Sequence, residues 1–130
     1  MNQEALIKAS MLENQIKETE QHAEFISSQI AELKALEENI LSLEESEETT
    51  LSSLGNGIYI KSKPEEKNLF VSIGAGIMVK KTSEETKKII EKQISRLSSF
   101  EEQLSLQLQS GYAQLNEIIQ IIESQKQQTI

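Results

Sequence analysis

The sequence predicts an α+β fold in which a central β-hairpin insert joins two long helices that pair as an antiparallel coiled coil. Four of the five glycines and the single proline lie within residues 55–81, where β-branched residues are also concentrated. The flanking segments are rich in Glu, Gln, Lys, Leu, Ile, Ala and Ser, a composition typical of long helices. The 130 residues are expected to form one domain, with helices at 1–48 and 82–130 and the hairpin region at 49–81.

The charge and composition exclude several classes of function. The net charge is −8, and residues 51–82 are the only basic segment. Nucleic-acid binding needs clustered Lys and Arg, so no nucleic-acid partner is expected. The chain has no cysteine and therefore no thiolate chemistry. The N-terminus lacks the pattern of a signal peptide, and no apolar run is long enough to span a membrane, so a cytoplasmic location without a membrane partner is expected.

In the first helix, apolar residues recur at alternating steps of three and four, which is the spacing of a coiled-coil seam. Such a helix is stable only when a partner helix covers the seam. His22 lies beside the seam without a second His or Cys, so it is interpreted as a solvated residue of the helix face. The seam consists of Ala9, Leu12, Ile16, Thr19, Ala23, Ile26, Ile30, Leu33, Glu37 and Ile40.

The insert reads as short strands at residues 57–61, 69–73 and 77–81, with a fourth, shorter strand at 51–54. The two Gly-x-Gly pairs have no third glycine or P-loop lysine, so they indicate turns or bulges and not phosphate loops. Small ribbons are marginal alone, and their edges invite pairing with another chain. The insert is therefore predicted to be the subunit-assembly surface, through Ile58, Ile60, Leu69, Val71, Ile73, Ile77 and Val79.

The second helix opens at Thr82, which is predicted to be the N-cap of a capping box with Glu85. Its seam has the same spacing as that of the first helix. Gly111 interrupts the seam at a cost of about 1 kcal/mol relative to Ala, and local bending there is a further interpretation. The seam consists of Ile90, Ile94, Leu97, Glu101, Leu104, Leu108, Gly111, Leu115, Ile118 and Ile122.

The end of the coiled coil that carries both termini has more apolar residues than a two-helix seam can bury. Two interpretations are open: wider packing between the same two helices, or an exposed apolar tip that contacts another molecule. The predicted tip residues are Leu6, Ile7, Met11, Leu115, Ile118, Ile119, Ile121 and Ile122.

The insert and its flanks resemble a known family. The segment Leu-Gly-Asn-Gly-Ile-Tyr-Ile-Lys at 54–61 is followed by Val-Ser-Ile-Gly-Ala-Gly-Ile-Met-Val-Lys-Lys at 71–81 and by the helix opening at 82–86. Together they are similar to the α-class subunit of prefoldin. The family often has proline at the position of Ser53, and it usually has an acidic residue before the basic one at 80–81, where this chain has two lysines.

The resemblance implies an ATP-independent molecular chaperone subunit without a cofactor. Such subunits form a heterohexamer of two α and four β-type subunits. Their coiled-coil tips bind unfolded proteins and deliver them to a group II chaperonin. The alternative is a structural or tethering coiled-coil protein that oligomerises through its β insert. An enzyme is not expected, because one histidine, no cysteine and no nucleotide loop leave no catalytic apparatus.

Overall fold

The computed structural model describes residues 2–45 and 49–128. The elements in chain order are α1 (Asn2–Glu45), β1 (Thr50–Gly55), β2 (Ile58–Ser62), β3 (Leu69–Gly74), β4 (Ile77–Lys81) and α2 (Ser83–Gln128). This order confirms the predicted fold class, and the fourth predicted strand is present and longer than expected. The predicted helix ends at residues 1, 46–48 and 129–130 lie outside the described residues.

The chain divides into two compact units. The first contains Met1–Ile30 and Arg96–Ile130, and is thus built from one segment of each long helix. The second contains Ala31–Ser95, and it carries all four strands together with the adjoining ends of the helices.

The first unit is an antiparallel pair of helical segments. Its buried apolar residues, Ile16, Ile26, Ile30 and Leu104, all belong to the predicted seams. The other seam positions of this unit are half-buried. Ile16 lies against Gly111, and the His22 ring lies against that of Phe100. Partners on α2 therefore fall in number as those on α1 rise, which is the order of an antiparallel pair.

In the second unit the helical ends again bury seam positions, here Ile40 and Ile90. Thr86 is the buried polar residue of this stretch, and its hydroxyl donates to the carbonyl oxygen of Thr82 at 2.9 Å. This bond satisfies the hydroxyl, which would otherwise cost free energy on burial.

The start of α2 is fixed by Thr82, which confirms its predicted role as N-cap. Its Oγ1 accepts a hydrogen bond from the backbone N–H of Glu85 at 3.1 Å, satisfying one of the free N–H groups of the first turn. The Glu85 carboxylate lies 3.9 Å from the Lys81 ammonium. The backbone half of the predicted capping box is thus present, while the glutamate pairs with a lysine.

The four strands form two separate two-stranded antiparallel sheets, β1–β2 and β3–β4. In the first hairpin Leu51 pairs with Lys61 and Ser53 with Tyr59. Cross-strand partners share a face, so Tyr59 and Lys61 lie on one face and Ile58 and Ile60 on the other, as predicted.

Each hairpin turns through a Gly-x-Gly sequence after a β-bulge. Gly55 and Gly57 have φ of 110° and 78°, and Asn56 between them has φ of 52°. Positive φ is readily available to glycine, which explains the two pairs as backbone geometry. In β3 the register shifts between Ser72 and Gly74, so Ile73 lies at the bulge and interrupts the face predicted for Leu69, Val71 and Ile73.

Candidate functional site

The first unit carries an exposed apolar surface at the start of α1. Leu6, Ile7 and Met11 lie outside the seam, and their side chains are 53–59% exposed. The seam residues beside them, Ala9 and Leu12, are half-buried. The helix therefore buries one stripe and presents a second apolar stripe to solvent.

The last part of α2 divides its predicted tip residues into two groups. Ile119 and Ile121 are exposed, whereas Leu115, Ile118 and Ile122 are half-buried in the seam. The helix pair therefore leaves five of the eight predicted tip residues exposed. We call these the apolar tip: Leu6, Ile7, Met11, Ile119 and Ile121.

The hairpins form a second apolar surface, in the second unit. Of the predicted assembly residues, Ile58, Ile60, Ile73 and Ile77 are exposed, while three are half-buried, namely Leu69, Val71 and Val79. The sequence analysis missed the other exposed apolar residues of the same strands: Leu51, Leu54, Tyr59, Phe70 and Met78. Strand alternation was the available signal, because both alternating sets of these strands contain large apolar residues.

Polar contacts join the two helical segments of the first unit near the seam. The Tyr112 hydroxyl donates a hydrogen bond to the Glu20 carboxylate, and this bond raises the pKa of Tyr112. The ring of His22 contacts that of Phe100 edge to face, with 5.4 Å between centroids. His22 is thus part of an aromatic contact, a role that its position beside the seam did not predict.

The second unit contains an ion pair between the end of α1 and the start of α2. Lys87 Nζ lies 3.0 Å from Glu44 Oε2. The hydrogen bond from Lys87 holds the pKa of Glu44 below its ordinary value, against partial desolvation, and Ser83 and Lys67 act in the same direction. Lys80 pairs with Glu66 at 2.7 Å in the same unit.

The described residues offer little for catalysis. Over residues 2–45 and 49–128 no three His, Cys, Asp or Glu side chains are grouped so as to hold a metal ion. A shallow groove of about 270 Å³ lies beside Gly111, with Leu12, Ile16 and Leu108 in its lining and amide side chains around them. Within the same ranges, neither helix contains an apolar stretch that could cross a bilayer. The arrangement is suited to apolar contact with other polypeptides.

Comparison with known proteins agrees with this geometry. The model of the Prefoldin family, described as "Prefoldin subunit", matches residues 12–128. Among solved structures, the chain is similar to filamentous PFD from Methanocaldococcus jannaschii, with a TM-score of 0.72 and 24% identity. That match covers 89% of this chain and 96% of the other. No curated protein sequence matches this one.

Proposed function

The chain belongs to the prefoldin family, and on that premise we propose that it is a subunit that holds unfolded proteins at its apolar tip without ATP. The family is a non-enzymatic chaperone family whose members assemble with other prefoldin subunits. The finer proposal is that this subunit combines with β-type subunits in a heterohexamer of two α and four β chains. The assembled chaperone then delivers clients to a group II chaperonin.

The observation that carries the proposal is the exposure of the apolar tip. Five large aliphatic side chains outside the seam remain in solvent, although the same helices bury their seam residues in regular order. Contiguous exposed apolar surface of this kind marks interaction sites on soluble proteins. Unfolded proteins expose apolar segments of many sequences, and a flat aliphatic surface can contact them without sequence-specific hydrogen bonds.

A single tip offers only a few side chains, so its affinity for a client is expected to be weak. Several tips in one assembly acting on one client raise the effective concentration of each contact, which gives avidity without new chemistry. The proposal therefore needs an assembly surface as well as a tip. The exposed hairpin residues Ile58, Ile60, Ile73 and Ile77 support that role, because two-stranded ribbons are marginally stable when left uncovered.

The test is suppression of aggregation by the chain assembled with a β-type subunit, using chemically denatured malate dehydrogenase as the client. The tip variant replaces Leu6, Ile7, Met11, Ile119 and Ile121 with Gln. We expect it to assemble normally and to lose at least about tenfold in the subunit concentration needed for half-suppression, because each aliphatic contact contributes roughly 1 kcal/mol or more when buried.

A matched control replaces Leu36, Leu41 and Leu43 with Gln, which are exposed aliphatic residues of α1 in the second unit. This control should suppress aggregation as the unaltered chain does. Equal suppression by the tip variant would overturn the assignment of the tip. Normal assembly with no client holding by any version would favour the tethering alternative.

A further inference from the structure

The two hairpins are repeats of one another in sequence. Residues 50–62 and 69–81 align without a gap, and each contains a large apolar residue two positions before its serine. The apolar residues that precede the glycines are also similar, Leu54 in the first hairpin and Ile73 in the second. The identical pairs are Ser53 and Ser72, Gly55 and Gly74, Gly57 and Gly76, Ile58 and Ile77, and Lys61 and Lys80.

The repeat extends to the backbone. The central turn residues Asn56 and Ala75 have φ of 52° and 53°. The register shifts at equivalent positions, between Ser53 and Gly55 in one hairpin and between Ser72 and Gly74 in the other. Bulges set the local twist of a ribbon. The two hairpins therefore present edges of the same twist and the same register.

One face of each hairpin repeats the same chemistry. On the first, Leu51 lies opposite Lys61 and Ser53 opposite Tyr59. On the second, Phe70, Lys80, Ser72 and Met78 occupy the equivalent positions. We call this the repeated face. Its four large apolar side chains are all highly exposed, at 59–65%: Leu51, Tyr59, Phe70 and Met78.

The opposite faces differ between the hairpins. In the first, the hydroxyls of Thr50, Ser52 and Ser62 hydrogen-bond to one another, with 2.5 Å between the two serine oxygens. In the second, the equivalent positions are apolar or basic, and Leu69 and Val71 are half-buried. What the hairpins share is therefore the solvent-exposed face and the turn. A shared exposed surface points to a shared binding partner.

We propose that the two hairpins are binding sites of one kind, and that the first hairpin of one copy of this chain docks on the second hairpin of the next copy. The proposal rests on the assembly role of the hairpins stated above. A second copy is the favoured occupant because it supplies a ribbon of matching twist, register and repeated face. Each copy then has two neighbours, and such a head-to-tail contact grows as a chain or closes as a ring.

Charge favours contact between unlike hairpins over contact between like ones. Lys80 is paired with Glu66, whereas Lys61 has no ion pair among the described residues. Two first hairpins face to face would bring two unpaired Lys61 side chains together. A first hairpin on a second hairpin instead brings Lys61 towards the Lys80–Glu66 pair, whose carboxylate can be shared. The apolar contact remains the main contribution, so association should strengthen with salt.

The experiment measures the mass of the purified full chain by light scattering over a range of concentrations. The first variant replaces Leu51 and Tyr59 with Ser, and the second replaces Phe70 and Met78 with Ser. The unaltered chain should pass twice its monomer mass of 14.7 kDa as concentration rises. Each variant alone should stay monomeric. An equimolar mixture of the two should form a one-to-one dimer and grow no further.

The exposed-leucine variant with Ser at positions 36 and 41 is the control for added polarity, and circular dichroism checks that every variant is folded. An unaltered chain that stays monomeric, or that stops at a dimer, would overturn the proposal, as would a variant mixture that forms no dimer. Weaker association at high salt would point to lysine–carboxylate contacts between copies and would also overturn it. Client holding by assemblies with a β-type subunit is measured separately, so failure here leaves the tip assignment standing.

Discussion

At the scale of single residues, Gly111 shows how a seam position can require the absence of a side chain. A Cβ placed on Gly111 would lie 3.0 Å from Ile16 Cγ1 and 3.4 Å from its Cδ1. Ile16 is buried, so it has little room to move away. The periodicity of α2 predicted only a weak point at this position. The structure shows a close approach of the two helical segments of the first unit.

Replacing Gly111 with Ala is expected to lower the free energy of unfolding by about 1 kcal/mol. The substitution gains about 1 kcal/mol of helix propensity, but overpacking a buried contact costs about 1–3 kcal/mol. Urea unfolding followed by circular dichroism at one protein concentration measures the difference. Ser110→Ala, at the exposed neighbouring position, reports the propensity gain alone.

The packing argument also predicts coupling between the two positions. Ile16→Ala removes the atoms that the new methyl group would meet, so the double variant should be more stable than the sum of the single changes implies. Additive effects, or a Gly111→Ala variant stabilised as much as Ser110→Ala, would show that the close approach to Ile16 does not limit this position.

At the scale of elements, the ion pair between Glu44 and Lys87 joins the end of α1 to the start of α2 within the second unit. The hydrogen bond from Lys87 lowers the pKa of Glu44 from its ordinary 4.5. A carboxyl group whose pKa is lower in the folded state stabilises that state above its unfolded pKa. The contribution is lost as the pH falls through the lower, folded value.

The stability of the unaltered chain relative to Glu44→Gln should therefore be constant near neutral pH and should shrink as the pH falls below about 4.5. Thermal unfolding of both proteins across this range measures the difference. Glu38→Gln is the matched control, because Glu38 is exposed and has no ion pair among the described residues. A gap between the unaltered chain and Glu44→Gln that stays constant to pH 3 would contradict the role of the pair.

The helices and strands follow from the sequence because their periodicities differ. Every predicted seam position is buried or half-buried, including Thr19 and Glu37. Strand alternation also placed Ile58 and Ile60 on one face correctly. The bulge at Ile73 could not be read from alternation, because a bulge changes the register without changing composition. The contacts Glu44–Lys87 and Glu20–Tyr112 join residues far apart in sequence, and no local pattern indicates them.

The tip was only half predictable for a related reason. The sequence shows an excess of apolar residues near both ends of the chain, and two interpretations fit that excess. Burial separates them, because it depends on the rotation of each helix about its axis. Leu115 and Ile118 are half-buried in the seam, whereas Ile119 and Ile121 are exposed.

At the scale of the whole molecule, an acidic chain exposes large aliphatic side chains in two concentrations, the apolar tip of the first unit and the hairpins of the second. This distribution fits a prefoldin-type chaperone subunit, since one surface is available for clients and the other for neighbouring subunits. It also separates the two activities in experiments, because the residues of the tip and those of the hairpins do not overlap.

The central claim, that the apolar tip binds unfolded protein, is tested most directly by site-specific photo-cross-linking. A benzophenone side chain is placed at Ile7 or Ile121 in the full chain, or at Leu36 or Leu41 as controls, and the chain is assembled with a β-type subunit. Irradiation with denatured malate dehydrogenase should cross-link the client at both tip positions and at neither control position. Equal cross-linking at all four positions, or cross-linking at the controls alone, would contradict the claim.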